Sequence, residues 1–95
     1  ILRFEIAFGK AWGALGMGLP SRDLFGRAQA NPQFFAALAA ASQGRVVPNP
    51  GGVLLKDGEG RIVGAVGVSG DTADMDEDCA LDGIAGTGLT ADAGR

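Results

Sequence analysis

Five acidic side chains within eight residues form the densest group in this chain that could carry chemistry. They are Asp71, Asp74, Asp76, Glu77 and Asp78, and they open a predicted helix. Acids in a first helical turn complement the positive end of the helix dipole, and Asp71 can cap the helix, so most of the group is expected to be structural. The same acids disfavour a bare phosphate at this helix start and favour a cation or a polar ligand.

Asp76 is the acid for which a functional role is easiest to argue. A helical wheel places it with Cys79, Ala80 and Gly83, on the side that we assign to the core. A carboxylate on an apolar face must be hydrogen-bonded, neutralised or linked to a ligand. A structural hydrogen bond to the preceding turn is the favoured role, and a ligand anchor or an acid/base group is the alternative.

Two glycine-containing segments are the next candidates for ligand contact. The first consists of Pro50, Gly51 and Gly52, and the second of Gly67, Ser69 and Gly70. Glycines let backbone N–H groups approach a ligand, and small side chains at the end of a strand leave room above a sheet. The first segment lacks the lysine and serine of a nucleotide-binding loop. Both segments are also typical of ordinary turns and close packing.

Lys10 is the basic candidate, because no acid lies four residues before or after it to form a helical ion pair. It is predicted either to face an anionic ligand or to lie on a solvated stripe of its helix. The chain has no His and no Tyr, which removes the commonest general base and metal ligand. Cys79 lies among carboxylates and is expected to be a small core residue. No catalytic residue and no metal site are therefore assigned.

The composition predicts one domain over residues 1–95, which is 46% hydrophobic and 20% charged. A net charge of −3 with scattered basic residues argues against a nucleic-acid or anionic-membrane surface. No apolar run approaches the roughly 20 residues that span a bilayer. A single cysteine fits a reducing compartment and favours the cytoplasm, although a periplasmic or secreted protein without disulfides would look the same.

The apolar periodicity predicts helices over residues 2–17, 21–30, 31–42 and 72–85, with strands over residues 45–48, 53–56 and 62–68. The last two strands flank a loop with the glycine spacing of a hairpin. Because the strand over residues 61–69 is apolar on both faces, it is predicted to be central, with the last helix packed on it. The residues after Gly86 are expected to form a frayed tail. The fold class is α/β in the α+β sense, with an antiparallel sheet.

The first helix is apolar almost all round, which indicates burial from more than one side. One face carries Phe4, Phe8 and Trp12, and the opposite face carries Gly9 and Gly13. Three strands offer too little surface to cover four helices, so the Gly9/Gly13 face is predicted to meet a partner subunit or a missing N-terminal segment.

Four segments in this order resemble the GlcG/HbpS family of small haem-binding and haem-utilisation proteins. They cover residues 4–11, 50–53, 64–70 and 76–80, and the resemblance extends over residues 4 to about 90. It implies a profilin-like antiparallel sheet flanked by helices, assembled into homo-oligomers. The family's N-terminal helix and first strands have no counterpart here, so the chain is expected to be the C-terminal two-thirds of the usual domain.

The resemblance implies that the chain binds a small ligand, with haem or another tetrapyrrole as the first candidate. Without His and Tyr, Met17, Met75 and Cys79 are the conventional axial ligands that remain. The favoured function is non-catalytic binding near the two glycine segments, Asp76 and Lys10. The alternatives are an enzyme or accessory domain acting on a small organic acid or a corrinoid cofactor, with Asp76 as acid/base group, and a structural oligomerisation domain.

Overall fold

The computed structural model describes residues 2–95. Its elements are α1 (Arg3–Met17), α2 (Ser21–Ala30), α3 (Pro32–Ala41), β1 (Gly52–Lys56), β2 (Ile62–Gly67), α4 (Ala73–Ile84) and β3 (Thr90–Asp92). The four predicted helices and the hairpin strands are confirmed. Within residues 2–95, no helix combines the length and the apolar character that crossing a bilayer requires.

The three strands form one antiparallel sheet in the order β2-β1-β3. An α+β fold with an antiparallel sheet is therefore confirmed. The third strand is not the predicted one, because residues 45–48 form no strand and the expected frayed tail supplies Thr90–Asp92. Pro48 has no N–H to donate to a ladder, whereas the tail residues pair with Leu54 to Lys56 of β1.

The predicted central position of β2 is wrong for this sheet, since β1 lies between β2 and β3. The prediction assumed that apolar residues on both faces of β2 are buried, but apolar residues also occupy its exposed positions. Ile62 and Val63 are exposed, and the later residues of β2 are only half-buried. β1 is the buried strand, with Val53 and Leu54 almost completely covered.

Helix α1 packs on one face of the hairpin through glycines that allow the backbones to approach closely. A Cβ atom on Gly67 would lie 2.0 Å from the Ala7 carbonyl oxygen, and one on Gly52 would lie 2.4 Å from the Lys10 carbonyl oxygen. The contact depends on the absence of side chains at these two paired strand positions.

The Gly9/Gly13 face of α1 is covered by the chain itself, so the predicted intersubunit contact through that face is wrong. A Cβ on Gly9 would lie 2.5 Å from Val47, and one on Gly13 would lie 3.2 Å from Val46. The segment over residues 45–48, which was predicted as a strand, lies against this face as irregular backbone, and Val47 donates its N–H to the Gly9 carbonyl.

The main core lies on the other face of the sheet, under α4. It is formed by Val53 with Ala80, Ile84 and Ala93, and Val66 and Val68 pack partly against it. Alternation along β1 explains the two layers, because Gly52 faces α1 while Val53 faces α4. Cys79 was expected in this core, but it is exposed one residue away from the buried Ala80.

One face of α1 is left open to solvent. Phe4, Phe8, Trp12 and Leu15 form this aromatic stripe, with relative exposures of 76%, 48%, 37% and 50%. The predicted periodicity of these residues is confirmed, but it marks a surface and not the core. Helix α3 is also peripheral, because none of its residues is buried.

Candidate functional site

Lys10 and Asp76 meet at the end of the sheet, although 66 positions separate them in sequence. The Lys10 Nζ lies 3.1 Å from the Asp76 Oδ2 and 2.9 Å from the Val68 carbonyl oxygen. Both side chains are 4% exposed. Lys10 therefore does not lie on a solvated stripe, because its ammonium links α1 on one face of the sheet to α4 on the other.

Asp76 also orders the turn before its own helix. Its Oδ1 accepts a hydrogen bond of 2.9 Å from the Asp71 backbone N–H, which confirms the predicted link to the preceding turn. The helix cap itself is Thr72, whose hydroxyl accepts from the Met75 N–H, so the prediction of Asp71 as the cap is wrong. With both oxygens bonded and almost no exposure, the carboxylate presents little surface to a substrate.

The two glycine segments are brought together around this ion pair. Gly51 has φ 124°, and a Cβ there would lie 2.8 Å from the Val68 oxygen and 2.9 Å from the Lys10 Nζ. Gly52 is held by Ser21, whose Oγ accepts from its N–H at 2.7 Å. Pro50 is buried beside them, whereas Ser69 and Gly70 lie at the rim.

The room that was predicted above the strand at Gly67 does not exist, because α1 fills it. The small residues serve a close contact between helix and strand. Lys10, Gly51, Gly52, Gly67 and Asp76 thus form a closely packed polar junction. At its edge, Ser69 is half-buried and Gly70 is exposed. Contact of a ligand with Ser69 and Gly70 stays a prediction.

A second buried acid was missed by the sequence analysis. Glu77 has no exposed side-chain surface, and its carboxylate is bonded by Arg22 Nε at 3.1 Å and by Arg95 Nε at 2.8 Å. Hydrogen bonds to Glu77 and then to Asp74 raise the pKa of Arg22 above its ordinary value. Most acids of the cluster therefore form ion pairs within the chain. This agrees with the mainly structural role that was expected for acids at a helix start.

Two cavities lie away from this junction, in a groove between α1, α2 and α3. One cavity of about 350 Å³ is lined by Met17, Arg27, Ala30, Asn31, Phe34 and Phe35. A second of about 290 Å³ is lined by Trp12, Gly13, Gly16, Met17, Leu38, Ala41, Ser42 and Val46. Met17 lines both, so the two cavities adjoin, and we call them together the Met17 groove.

The walls of the Met17 groove are mainly aromatic and aliphatic. The volumes of its two cavities fall near the lower end of the range of small-molecule pockets. From the sequence, Met17 was expected only as one of three conventional haem ligands. The signal that the sequence offers is the apolar spacing of Phe34, Phe35 and Leu38 on α3, and the structure places these side chains along the groove.

Among residues 2–95, no group of three or more His, Cys, Asp or Glu side chains lies close enough together to hold a metal ion. Of the three conventional haem ligands, Met75 and Cys79 are exposed on α4. Met17 is also exposed, at 37%, but it lines the cavities between the helices.

Residues 1–85 match a family model described as haem degrading protein HbpS-like. No curated protein and no solved structure matches the chain. The match covers most of the 95 residues and confirms the resemblance that the motifs indicated. The chain therefore belongs to the HbpS-like family.

Proposed function

We propose that this protein binds haem or a related tetrapyrrole without converting it, and that the ligand occupies the Met17 groove. The observation that carries the proposal is the position of Met17, which lines both apolar cavities. The family description relates the chain to haem. A thioether is an established axial ligand of haem iron, and the chain offers no His or Tyr in its place.

The chemistry of the groove suits a flat ligand with an apolar body and an acidic edge. Trp12, Phe34 and Leu38 supply apolar walls. Arg27 lines the same groove, and no ion pair between residues 2 and 95 includes it. A guanidinium is the usual partner of a carboxylate, so Arg27 is suited to a propionate.

Haem degradation is a second candidate, because the family description names it. In that case the groove residues would hold the substrate and not a resident cofactor. An acid/base role for Asp76 receives no support from its surroundings, since its side chain is 4% exposed and its carboxylate is bonded to Lys10 and to the Asp71 N–H. Loss of the Soret band under a reductant and oxygen would distinguish degradation from binding.

The first experiment is a haem titration followed by the Soret shift, with a variant that fills the groove. Gly16 lines the second cavity, and a Cβ there would meet no atom within 4 Å. We expect Gly16→Leu to abolish the shift while it stabilises α1, because leucine has a helix propensity about 1 kcal/mol better than glycine. Loss of binding with retained stability is the expected signature of an occupied groove.

The matched control is Gly83→Leu. Gly83 is also an exposed helical glycine with open space around it, but it lies on α4. This variant should gain similar helix stability and keep the wild-type titration. Equal binding by both variants would exclude the groove, and absence of any shift for the unsubstituted protein would refute the proposal. A shift lost in Ser69→Leu but kept in Gly16→Leu would place the ligand at the sheet-end junction.

The axial role of Met17 is tested by Met17→Leu. Leucine keeps the apolar volume and removes the sulfur, so we expect haem affinity to fall about tenfold or more, equivalent to ~1.4 kcal/mol. The Soret maximum should also move as the axial ligand is lost. Met75→Leu is the control, because Met75 is exposed on α4 outside the groove. Identical spectra for the two variants would exclude Met17 as a ligand.

A further inference from the structure

The two ends of the Met17 groove differ in charge. Arg27 lines the larger cavity, whereas none of the described residues around the smaller cavity is charged. The hydroxyl of Ser42 in the smaller cavity is already bonded, because it donates to the Ala39 carbonyl at 3.2 Å and accepts from the Val46 N–H at 3.3 Å. The groove is therefore cationic at one end and apolar at the other.

The charge of Arg27 is not neutralised by the one acid of its own helix. Asp23 lies one turn earlier on α2, at a spacing that allows an ion pair. Its carboxylate is directed toward the tail instead, since a Cβ on Gly94 would lie 2.7 Å from the Asp23 Oδ1. No ion pair in the described part of the chain includes Arg27. Its guanidinium is thus available to an anionic group of a ligand.

Asn31 adds a neutral hydrogen-bond donor to the cavity that Arg27 lines. Its side-chain oxygen accepts from the Phe34 N–H at 3.4 Å, which leaves the amide NH2 group to donate elsewhere. Asn31 and Arg27 both line the larger cavity. An ionised carboxylate only accepts hydrogen bonds, so it matches this pair of donors, whereas an ammonium group does not.

The shape of the groove suits a flexible chain. Its cavities of about 350 and 290 Å³ adjoin at Met17. Rotation about single bonds lets an alkyl chain bend past the Met17 side chain and contact the walls of both cavities. Each methylene group that is fully covered in this way strengthens binding about fourfold. A carboxylate bound at Arg27 would leave its alkyl chain to fill the apolar end.

We infer that the Met17 groove binds long-chain monocarboxylates, with the carboxylate at Arg27 and the chain end in the cavity that Trp12 lines. The single cation of the groove matches a ligand with one carboxylate at one end. The ligand is a free carboxylate from solution, because a net charge of −3 disfavours an anionic membrane surface. The inference goes beyond the proposed function, since it requires neither iron nor a tetrapyrrole.

The fluorescence of Trp12 tests the position of the chain end. Trp12 is the only tryptophan, and it lines the smaller cavity. Bromine quenches tryptophan fluorescence on contact, so dodecanoate with bromine on its last carbon should give saturable quenching below its micelle concentration. Bromine next to the carboxylate should quench much less, and unsubstituted dodecanoate should reverse the quenching. No saturable quenching, or stronger quenching by bromine next to the carboxylate, would overturn the inference.

Arg27→Gln tests the position of the carboxylate. We expect the dissociation constant of the end-brominated acid to rise about tenfold, because a charge-assisted hydrogen bond is lost. The urea midpoint should stay unchanged, since Arg27 is exposed. Arg3→Gln is the matched control, because Arg3 is an exposed arginine that does not line the groove. Equal affinity of the two variants, or equal affinity of the unsubstituted protein for the acid and its methyl ester, would refute the inference.

Gly16→Leu and haem titration separate this inference from the proposed function. Leucine at position 16 occupies the smaller cavity, so the quenching should be lost in Gly16→Leu and kept in Gly83→Leu. Quenching that persists in Gly16→Leu would contradict binding in the groove. Quenching without a Soret shift would support the carboxylate site and refute haem binding, whereas a Soret shift without quenching by either brominated acid would do the reverse.

Discussion

Replacing Gly67 by alanine is expected to remove a large part of the stability of this domain. The added Cβ would lie 2.0 Å from the Ala7 carbonyl oxygen and 3.0 Å from the Ala11 nitrogen. Both are backbone atoms of α1, so no side chain can rotate away, and the helix must move from the sheet. We expect a loss of about 3 kcal/mol or more, against a total of 5–15 kcal/mol for ordinary domains.

Gly64→Ala is the matched control for this prediction. It lies in the same strand, and its Cβ would meet only Leu55 Cδ1 at 3.5 Å, an ordinary contact. Its free energy of unfolding should change by less than ~1 kcal/mol, because alanine also restricts the unfolded chain. Urea denaturation of both variants measures the difference. Similar midpoints for Gly67→Ala and Gly64→Ala would show that α1 is not closely packed on β2.

Breaking the buried ion pair is expected to have the second large effect. Lys10→Met leaves the Asp76 carboxylate almost unexposed and without its cation, which costs ~3–5 kcal/mol in comparable buried pairs. The Val68 carbonyl also loses its ammonium donor. Helix α1 would then lose its polar link to α4 across the end of the sheet.

A double-mutant cycle tests whether the unpaired charge of Asp76 causes this loss of stability. Asp76→Asn removes the charge and keeps an oxygen that can accept from the Asp71 N–H. Lys10→Met/Asp76→Asn should therefore be more stable than Lys10→Met alone, although it has one more substitution. Lys56→Met is the control, because the Lys56–Asp92 pair is about one-third exposed and should contribute ~1 kcal/mol or less. A double variant less stable than Lys10→Met would contradict the charge-burial explanation.

These two predictions concern the same helix that lines the proposed binding site. Glycine contacts and the Lys10 ammonium fix α1 on the sheet. The C-terminal end of α1 forms one wall of the Met17 groove. Substitutions that loosen α1 are therefore expected to weaken ligand binding as well as stability, whereas Gly16→Leu should weaken binding alone.

Local sequence signals were sufficient for most of the secondary structure and for the family. Asn31 and Pro32 mark the start of α3, and the Asn31 side chain accepts from the Phe34 N–H as expected of a helix cap. The glycine-containing loop between β1 and β2 produces the predicted hairpin. Such signals act over a few residues, so they are readable without knowledge of distant contacts. The order of the motifs was enough to indicate the HbpS-like family.

Only the tertiary structure decided which face of each helix and strand is buried and which is exposed. The periodicity of α1 identified an aromatic face and a glycine face, but it could not show that the glycines face the chain and the aromatics face solvent. An apolar side chain has the same pattern in a core and at an interface. For the same reason the apolar pattern of β2 predicts a central strand, although β2 lies at the edge of the sheet.

The predicted site residues show the same division between local and distant information. The link between Asp76 and its preceding turn spans five positions and was predictable, whereas its pairing with Lys10 spans 66 and was not. Small residues at the end of β2 were correctly recognised as unusual, but only the fold shows that α1 occupies the space beside Gly67. The Met17 groove arises where three helices meet, and no single segment of sequence contains it. Residue types thus determined which contacts were chemically possible, and the packing of α1 determined which of them formed.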